Sequence, residues 1–146
     1  MPAEGLSHDA DRYNLGRFVE AQDPVFRQVT SELRAGRKTS HWMWFIFPQI
    51  RGLGRSPASV EYAISGLDEA RAYLAHPILG PRLKECTQLV LLAGNRPASQ
   101  IFGSPDDMKF RSCITLFAQA SADDIFVRAL QKYFRGVPDQ MTLDRL

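Results

Sequence analysis

The amino-acid sequence predicts an all-α fold, a compact multi-helix domain of about six to eight helices with no extensive sheet. Apolar residues recur at spacings of three and four along almost the whole chain, and glycine or proline interrupts these runs. A length of 146 residues with 45% hydrophobic content is sufficient for one domain with its own core. We therefore assign residues 13–146 to a single helical domain and residues 1–12, which lack an apolar run, to a flexible N-terminal tail.

Two helices are predicted before residue 37. A short amphipathic turn ends at Asp23, and Asp23-Pro24 resembles an N-cap followed by proline at the first position of the next helix. Gly36 ends that second helix. The apolar positions of the pair are Leu15, Phe18, Val19, Phe26, Val29 and Leu33.

The middle of the chain carries further start and stop signals. Ser56-Pro57 begins a short helix or turn, and Ser65 with Asp68 resembles a capping box. His76-Pro77 ends the helix that Ser65 begins, and a long helix follows until Gly94. A short helix is expected over residues 98–102. The apolar stripe of the long helix consists of Ile78, Leu79, Leu83, Cys86, Val90 and Ala93.

Two further helices complete the predicted domain. Ser104-Pro105-x-Asp107 combines an N-cap, a first-turn proline and an acidic residue at N3, and Ser121 with Asp124 repeats the polar part of the device. Gly136 ends the last long helix. One segment, Trp42–Phe47, is apolar without a period, so that it suits a buried helical turn or a buried strand equally well.

The charge balance and the cysteine usage exclude several classes of protein. Eighteen Lys and Arg against sixteen Asp and Glu give a net charge of +2, too small an excess to predict nucleic-acid binding. The densest basic group, Arg34 with Arg37 and Lys38, is interpreted first as cations at a helix end and second as a phosphate contact. The apolar runs are too short to span a membrane, so the expected location is the cytoplasm.

The sequence predicts neither a metal nor a cofactor. Its three histidines, His8, His41 and His76, show no i,i+4 pairing or HExxH motif. Cys86 and Cys113 lie far apart without CxxC spacing, and we expect them to pack as small apolar groups.

Five segments together resemble a bacterial protein family. They are Lys38-Thr39-Ser40-His41-Trp42-Met43-Trp44-Phe45-Ile46-Phe47-Pro48-Gln49, Gly52-Leu53-Gly54-Arg55-Ser56, Glu69-Ala70-x-x-Tyr73-Leu74-x-His76-Pro77, Asp107-x-Lys109-x-Arg111-Ser112 and Thr115-Leu116-Phe117. The family that these segments resemble is domain of unknown function 1810, and the likeness runs from about Leu15 to the C-terminus. It implies a small, mainly helical fold and brings no established reaction.

The label calpastatin is sometimes attached to members of that family, and this sequence argues against it. A calpain inhibitor of that type resembles a repetitive, disordered chain that folds on its target. The present chain has the apolar content of a folded core and no repeat.

The segment around Lys38 is the first candidate site. Indole rings stack on bases or sugars and attract cations, so Trp42 and Trp44 are candidate ligand contacts. Lys38 could neutralise a phosphate, and His41 could act as an acid or base near neutral pH. The structural alternative is that Trp42 belongs to the core and Lys38 is a helix-end cation.

The glycine pair that follows is the second candidate. Paired glycines let backbone N–H groups approach an anion, which Arg51 and Arg55 could flank and the helix beginning at Ser56 could favour. Pro57 stands where a dinucleotide-binding fingerprint needs its third glycine, and the segment lacks the Gly-Lys-Ser/Thr ending of a Walker loop. An ordinary glycine turn explains the same residues.

The third candidate group lies on one predicted helix. Asp107 and Arg111 are one turn apart and can form an ion pair, while Asp107 also suits the capping box of Ser104. Lys109 and Ser112 share a neighbouring face and could point toward the Lys38 segment. In the structural alternative, Lys109 and Ser112 are ordinary surface residues without a functional role.

Two functional hypotheses follow. In the first, the protein has a pocket for a small anionic metabolite, a nucleotide or sugar phosphate, and the question whether it is an enzyme stays open. Lys38, with Arg55 or Lys109, would hold the anion, and Gln49 would contact a polar edge of the ligand. Lys38 and His41 are the candidate catalytic residues, and Trp42, Trp44, Ser56 and Ser112 complete the candidate ligand contacts.

In the second hypothesis, the protein is a non-catalytic interaction domain whose exposed aromatic side chains contact another protein. A flat exposed aromatic patch would favour this hypothesis, whereas a concave site ringed by polar side chains would favour the first. The oligomeric state is left open.

Overall fold

The computed structural model describes residues 11–146, and this part of the chain contains ten α-helices. The all-α prediction is confirmed, but the predicted number of helices was too low. Two four-residue helices account for the difference. Met43–Ile46 lies in the segment that the sequence left open between helix and strand, and Gln140–Leu143 was not predicted, because so short a helix has no period to detect. In chain order the helices are α1 (Gly16–Gln22), α2 (Phe26–Arg34), α3 (Met43–Ile46), α4 (Pro57–Glu61), α5 (Leu67–Ala75), α6 (Leu79–Leu91), α7 (Ala98–Phe102), α8 (Asp106–Ala120), α9 (Ile125–Phe134) and α10 (Gln140–Leu143).

Strand-like pairing in the described range is limited to one parallel bridge between Ile50 and Ile64. Arg51 N–H donates to the carbonyl of Ile64, and Ile64 N–H donates to the carbonyl of Gln49, each at 2.8 Å. The described residues therefore contain no extensive sheet, as predicted. Residues 1–10, which include His8 and most of the predicted tail, lie outside the described residues.

Helix α8 lies at the centre of the packing. It contacts α5, α7, α9 and α10, while α6 packs against α2, α5 and α9. Its buried side chains include Phe110, Cys113, Ile114 and Phe117. Because neighbouring helices surround α8, apolar residues cover most of its circumference instead of a single stripe.

The unassigned segment Trp42–Phe47 contains a helical turn, α3, and belongs to the core. The Phe47 ring packs edge-on against Phe102 at 5.7 Å and against Phe110 at 5.0 Å between ring centroids. Phe102 and Phe110 stack on each other at 4.7 Å. This aromatic cluster joins the end of α3 to α7 and α8, and Phe102 also lines the cleft described below.

Several predicted helix caps were wrong, although the helices themselves were found. Asp23 ends α1 instead of capping α2, which begins at Phe26 without a side-chain cap. The Asp23 carboxylate is paired with Arg82 at 2.8 Å. Helix α8 begins at Asp106, and no side-chain hydrogen bond caps it, so that the predicted box of Ser104 and Asp107 does not form.

Helix α5 shows a different correction. The partner of Ser65 is Glu69, which accepts both the Ser65 N–H at 3.0 Å and the Ser65 hydroxyl at 2.8 Å. Asp68, which was predicted to complete a capping box, pairs with Arg71 instead. Ser56 was predicted correctly, since its hydroxyl accepts from the N–H of Ser59 at the start of α4.

Within residues 11–146, no helix is long and apolar enough to cross a membrane.

Candidate functional site

A cleft of about 460 Å³ lies between the α2–α3 connection and the segment that contains α7. We call it the basic cleft, because three of its lining residues are cationic. Its lining residues are Arg37, Lys38, Arg96, Ser99, Gln100, Phe102 and Gly103. The two segments that form it are about sixty residues apart in the sequence, so that only the tertiary fold brings them together.

Local backbone structure fixes the two walls of the cleft. Helix α2 ends at Arg34, and Gly36 has a φ of 74°, which turns the chain away from the helix axis. Lys38 N–H then donates to the carbonyl of Ile101 in α7 at 2.6 Å. This main-chain bond holds the α2–α3 connection against α7.

Arg96 lies directly over Gly36. A Cβ atom at Gly36 would stand 3.2 Å from both Cδ and Nε of Arg96, closer than side chains normally approach. The absence of a side chain at Gly36 therefore lets the Arg96 side chain lie close to the backbone just before Arg37. Gly36 thus serves two purposes, since it ends α2 and makes room for Arg96.

The charges of the cleft are unevenly compensated. Arg37 and Arg96 are exposed, and neither has a carboxylate within 4.0 Å in the described part of the chain. Lys38 is different, because its side chain is only 8% exposed and its Nζ lies 2.8 Å from Asp106 Oδ2. No acidic residue of the described range lines the cleft.

Asp106 connects Lys38 to a second lysine. Lys109 Nζ lies 3.4 Å from Asp106 Oδ1 and 5.5 Å from the ring centroid of the half-buried Trp44. Lys38 Nζ lies 5.2 Å from the ring of Trp42. Lys38 and Lys109, which the sequence predicted to lie near each other, thus share one carboxylate, and each faces one indole ring.

Sequence reasoning missed Glu32, the residue that holds Trp42 in place. Glu32 is 5% exposed, and its Oε1 accepts the indole N–H of Trp42 at 3.0 Å. Thr39 N–H and Ser40 N–H donate to the same oxygen at 2.7 and 3.0 Å. The Ser40 hydroxyl donates to Oε2 at 2.6 Å and Gln28 Nε2 donates to it at 2.8 Å.

These donors govern the ionisation of Glu32. Burial alone would raise the pKa of its carboxyl, but the hydrogen bonds from Ser40, Thr39, Gln28 and Trp42 outweigh burial and lower the pKa to about 2. The sequence signal that could have revealed this role is a glutamate beside the apolar stripe of α2, followed within ten residues by Thr39, Ser40 and Trp42.

The indole rings predicted as stacking surfaces have different surroundings. Trp42 is 1% exposed, packs against Phe47 at 6.2 Å between ring centroids and has its N–H satisfied by Glu32. Its ring is therefore part of the core in this structure and is not available to a ligand. Trp44 is half-buried and keeps part of its ring accessible beside Lys109.

Three other predicted contacts lie outside the basic cleft. His41 is exposed, Gln49 is half-buried, and Arg55 is exposed. None of the three side chains forms a hydrogen bond within residues 11–146, and none lines the basic cleft. His41 is next to the Glu32 contacts in sequence, but the carboxylate is already surrounded by other donors.

Ser56 and Ser112 have structural partners. Ser56 caps α4. The Ser112 hydroxyl is within hydrogen-bond distance of Asp139 Oδ2 at 2.9 Å and of the Met108 carbonyl at 3.1 Å. Asp139 in turn caps α10 by accepting the N–H of Thr142. Ser112 therefore connects α8 to α10 instead of facing the Lys38 segment.

The predicted ion pair between Asp107 and Arg111 does not form in the described structure. Arg111 donates from Nε to the carbonyl of Val137 at 2.9 Å and from Nη2 to that of Pro138 at 3.3 Å. Asp107 accepts from the N–H of Met108. Arg111 therefore binds carbonyls of the α9–α10 connection and not the carboxylate of Asp107, which lies one turn away.

The glycine pair Gly52 and Gly54 forms a turn. Gly52 has a φ of 98°, and its carbonyl accepts from Arg145 Nη2 at 3.1 Å. The guanidinium of Arg145 occupies the space where a Gly52 side chain would lie. This turn is therefore closed by the C-terminal segment of the chain.

The two cysteines and His76 have structural surroundings. Cys86 and Cys113 are buried free thiols, as predicted, and burial raises the pKa of Cys86 to about 12 and that of Cys113 well above its usual range. His76 Nδ1 accepts from the N–H groups of Ile78 and Leu79 at the start of α6, and burial lowers its pKa. Within the described residues no three His, Cys, Asp or Glu side chains are grouped to hold a metal ion.

Comparison with known proteins identifies relatives but no activity. The chain is similar to the conserved hypothetical protein Rv1873 from Mycobacterium tuberculosis, whose crystal structure it matches with 57% sequence identity and a TM-score of 0.90. The match covers 91% of this chain and 96% of the mycobacterial chain. No curated protein matches the chain. The family model described as "Protein of unknown function (DUF1810)" matches residues 12–146, so the chain belongs to that family, as its sequence motifs predicted.

Proposed function

We propose that the protein binds a small phosphate-bearing metabolite, of the nucleotide or sugar-phosphate class, in the basic cleft. The observation that carries this proposal is the pair of exposed guanidinium groups, Arg37 and Arg96, which line one cleft without a carboxylate partner among residues 11–146. Cations on a protein surface usually pair with carboxylates or lie apart from one another in solvent. Two unpaired cations in one concavity therefore attract an anion.

The chemistry of the lining supports a phosphate. A guanidinium offers two parallel N–H groups to phosphate oxygens, and such charge-assisted hydrogen bonds are stronger than neutral ones. Ser99 and Gln100 add neutral polar groups, and Phe102 contributes an apolar surface. A volume of about 460 Å³ suits a small metabolite.

Lys38 is the one residue that this proposal shares with the sequence-based hypothesis. Its ammonium group is held by Asp106, so we assign it the role of fixing the cleft wall and adding positive potential. Arg37 and Arg96 replace Arg55 and Lys109 as the principal anion contacts. The proposal assigns no reaction to the site, and an acid–base role of His41 stays a prediction.

The alternative function as a protein-interaction domain lacks the feature that it requires. The large hydrophobic side chains exposed in the described structure are those of Val, Ile, Leu and Met, and no Trp, Phe or Tyr is among them. Hot spots of protein interfaces are enriched in Trp, Tyr and Arg, with Leu and Val under-represented. We therefore retain the metabolite proposal as the better supported of the two.

Ligand-dependent thermal stability tests the proposal. The purified protein is heated with inorganic phosphate, sugar phosphates and nucleoside phosphates, in parallel with Arg37→Gln, Arg96→Gln and the control Arg27→Gln. Arg27 is an exposed arginine at the other end of α2. A ligand at one hundred times its Kd should stabilise the fold by about 2.7 kcal/mol.

We expect at least one phosphate compound to raise the Tm of the wild type and of Arg27→Gln, and to have little effect on the two cleft variants. Both cleft residues are exposed, so the variants should fold normally, which their Tm values without ligand will verify. A panel without any shift would overturn the proposal. A shift that persists in both cleft variants would also overturn it, because the anion would then bind elsewhere.

A further inference from the structure

A second cleft of about 290 Å³ adjoins the basic cleft and shares Arg96 with it. We call it the adjacent cleft. Its lining residues are Gly94, Asn95, Arg96, Pro97, Lys132 and Tyr133. Because Arg96 lines both clefts, the two depressions are neighbours.

Helix α9, which carries Lys132 and Tyr133, is hydrogen-bonded to the end of α6 beside the adjacent cleft. Lys132 Nζ donates to the carbonyl of Leu91 in the last turn of α6, and the Tyr133 hydroxyl donates to the carbonyl of Val90. Lys132 Nζ also lies 5.1 Å from the ring centroid of Tyr133. One proton of the ammonium group is thus used within the protein, which leaves two for a ligand.

Arg96 is the cation that the two clefts share. Arg37 and Lys38 line the basic cleft, and Lys132 lines the adjacent cleft. No Asp or Glu from the described range lines either cleft. Lys132 has no carboxylate within 4.0 Å in that range, so the adjacent cleft has an uncompensated charge of its own.

We propose that the natural ligand carries two phosphoryl groups, one in the basic cleft against Arg37 and one in the adjacent cleft against Lys132, with Arg96 shared by the two clefts. This inference rests on the proposed function and narrows its ligand class. A ligand with a single phosphate in the basic cleft would leave the charge of Lys132 unmatched, since Lys132 does not line that cleft. Two phosphoryl groups would neutralise the cations of both clefts.

Two kinds of metabolite offer this chemistry. In a nucleoside diphosphate the two phosphoryl groups share a bridging oxygen, whereas in a sugar bisphosphate the carbon skeleton separates them. Matched pairs of ligands distinguish the two kinds, because each pair differs only in the second phosphoryl group. The pairs are adenosine monophosphate with adenosine diphosphate, and fructose 6-phosphate with fructose 1,6-bisphosphate.

The experiment measures Kd by isothermal titration calorimetry for all four compounds. The proteins are the wild type, Lys132→Gln and the control Lys84→Gln. Lys84 is a partly exposed lysine whose surface ion pair with Asp123 lies outside both clefts. The Tm of each protein without ligand shows whether Lys132→Gln folds normally after losing its bond to Leu91.

We expect the second phosphoryl group to strengthen binding by about tenfold in one of the two pairs, which is the effect of one charge-assisted hydrogen bond to a charged group. Lys132→Gln should remove that gain and leave the Kd of the monophosphate unchanged, while Lys84→Gln should behave as the wild type does. A gain within the adenosine pair would indicate a diphosphate, and a gain within the fructose pair would indicate separated phosphates.

Two results would overturn the inference without affecting the proposed function. Equal affinity within both pairs would show that the second phosphoryl group has no partner. An equal loss of monophosphate and bisphosphate affinity in Lys132→Gln would show that Lys132 contacts no separate group. Failure of all four compounds to bind the wild type would instead overturn the proposed function itself.

Discussion

The indole N–H of Trp42 donates to the buried carboxylate of Glu32 at 3.0 Å. This bond joins α2 to the start of α3, and the main chain of Thr39 and Ser40 donates to the same oxygen. The Glu32 side chain therefore closes the α2–α3 connection into a loop. This loop carries Arg37 and Lys38. The position of the basic cleft depends on that loop.

We predict that Glu32→Gln destabilises the protein by about 3 kcal/mol, because the amide replaces a charged acceptor of several buried hydrogen bonds and directs an NH₂ group at donors. Urea denaturation at pH 7 measures the change in the free energy of unfolding. Glu85→Gln is the matched control, since Glu85 is exposed on α6 and should lose little stability. Equal stability of the two variants would contradict the role assigned to Glu32.

The same carboxylate predicts a dependence of stability on pH. The pKa of Glu32 is about 2 in the folded protein and 4.5 in the reference state, so the unfolded chain binds more protons between these values. The stabilisation from Glu32 is therefore complete above about pH 4.5 and is lost as the pH falls toward 2. The shift corresponds to roughly 3 kcal/mol.

Urea denaturation of the wild type and of Glu32→Gln at several pH values between 7 and 3 tests this prediction. The difference in the free energy of unfolding between the two proteins should be constant from pH 7 to 5 and should decrease below pH 4.5. The comparison with Glu32→Gln removes the contributions of all other carboxylates. A difference that does not change with pH would show that the pKa of Glu32 is not lowered.

The helices could be predicted from the sequence because their signals are local. Val29 and Leu33, for example, lie one helical turn apart and face the core, and both are buried. The predicted short helix over residues 98–102 matches α7. Caps were less predictable because a serine or aspartate has several possible partners nearby. Ser65 bonds with Glu69 instead of Asp68, and only the packed structure selects between them.

The candidate site was only partly predictable for a different reason. The sequence identified Lys38 and its neighbours, but the partners of this segment are Ile101 and Arg96, about sixty residues away. Periodicity carries no information about such pairs. The role of Trp42 was also undecided, since an indole can belong to a ligand site or to a core. Glu32 decides it, because a buried acceptor satisfies the indole N–H.

The two cysteines should be unreactive in the folded protein. Both are buried and free, and burial disfavours the thiolate by raising the pKa of each thiol. A disulfide reagent such as DTNB should react at pH 8 at least roughly a hundredfold more slowly in buffer than in urea, because reaction requires an opening of the core. The variants Cys86→Ala and Cys113→Ala assign the rates. Rapid reaction of either thiol in the native state would contradict its burial.

Close packing of α5 against α6 gives the last prediction. A Cβ atom at Gly80 would stand 2.1 Å from the carbonyl oxygen of Leu74, and that atom belongs to the backbone. Alanine favours a helix over glycine by about 1 kcal/mol, so propensity alone would make Gly80→Ala stabilising. The steric overlap costs more than this gain, because the two helices must separate. We therefore expect the free energy of unfolding to fall by about 2 kcal/mol or more.

Gly66→Ala is the matched control for this substitution. Gly66 precedes α5 in an extended conformation with a φ of 168°, and a Cβ atom there would have open space around it. We expect its free energy of unfolding to stay within about 1 kcal/mol of the wild type. Urea denaturation of both variants at pH 7 makes the comparison. Wild-type stability of Gly80→Ala would show that α5 and α6 do not approach each other this closely, whereas a loss confined to Gly80→Ala would confirm the contact.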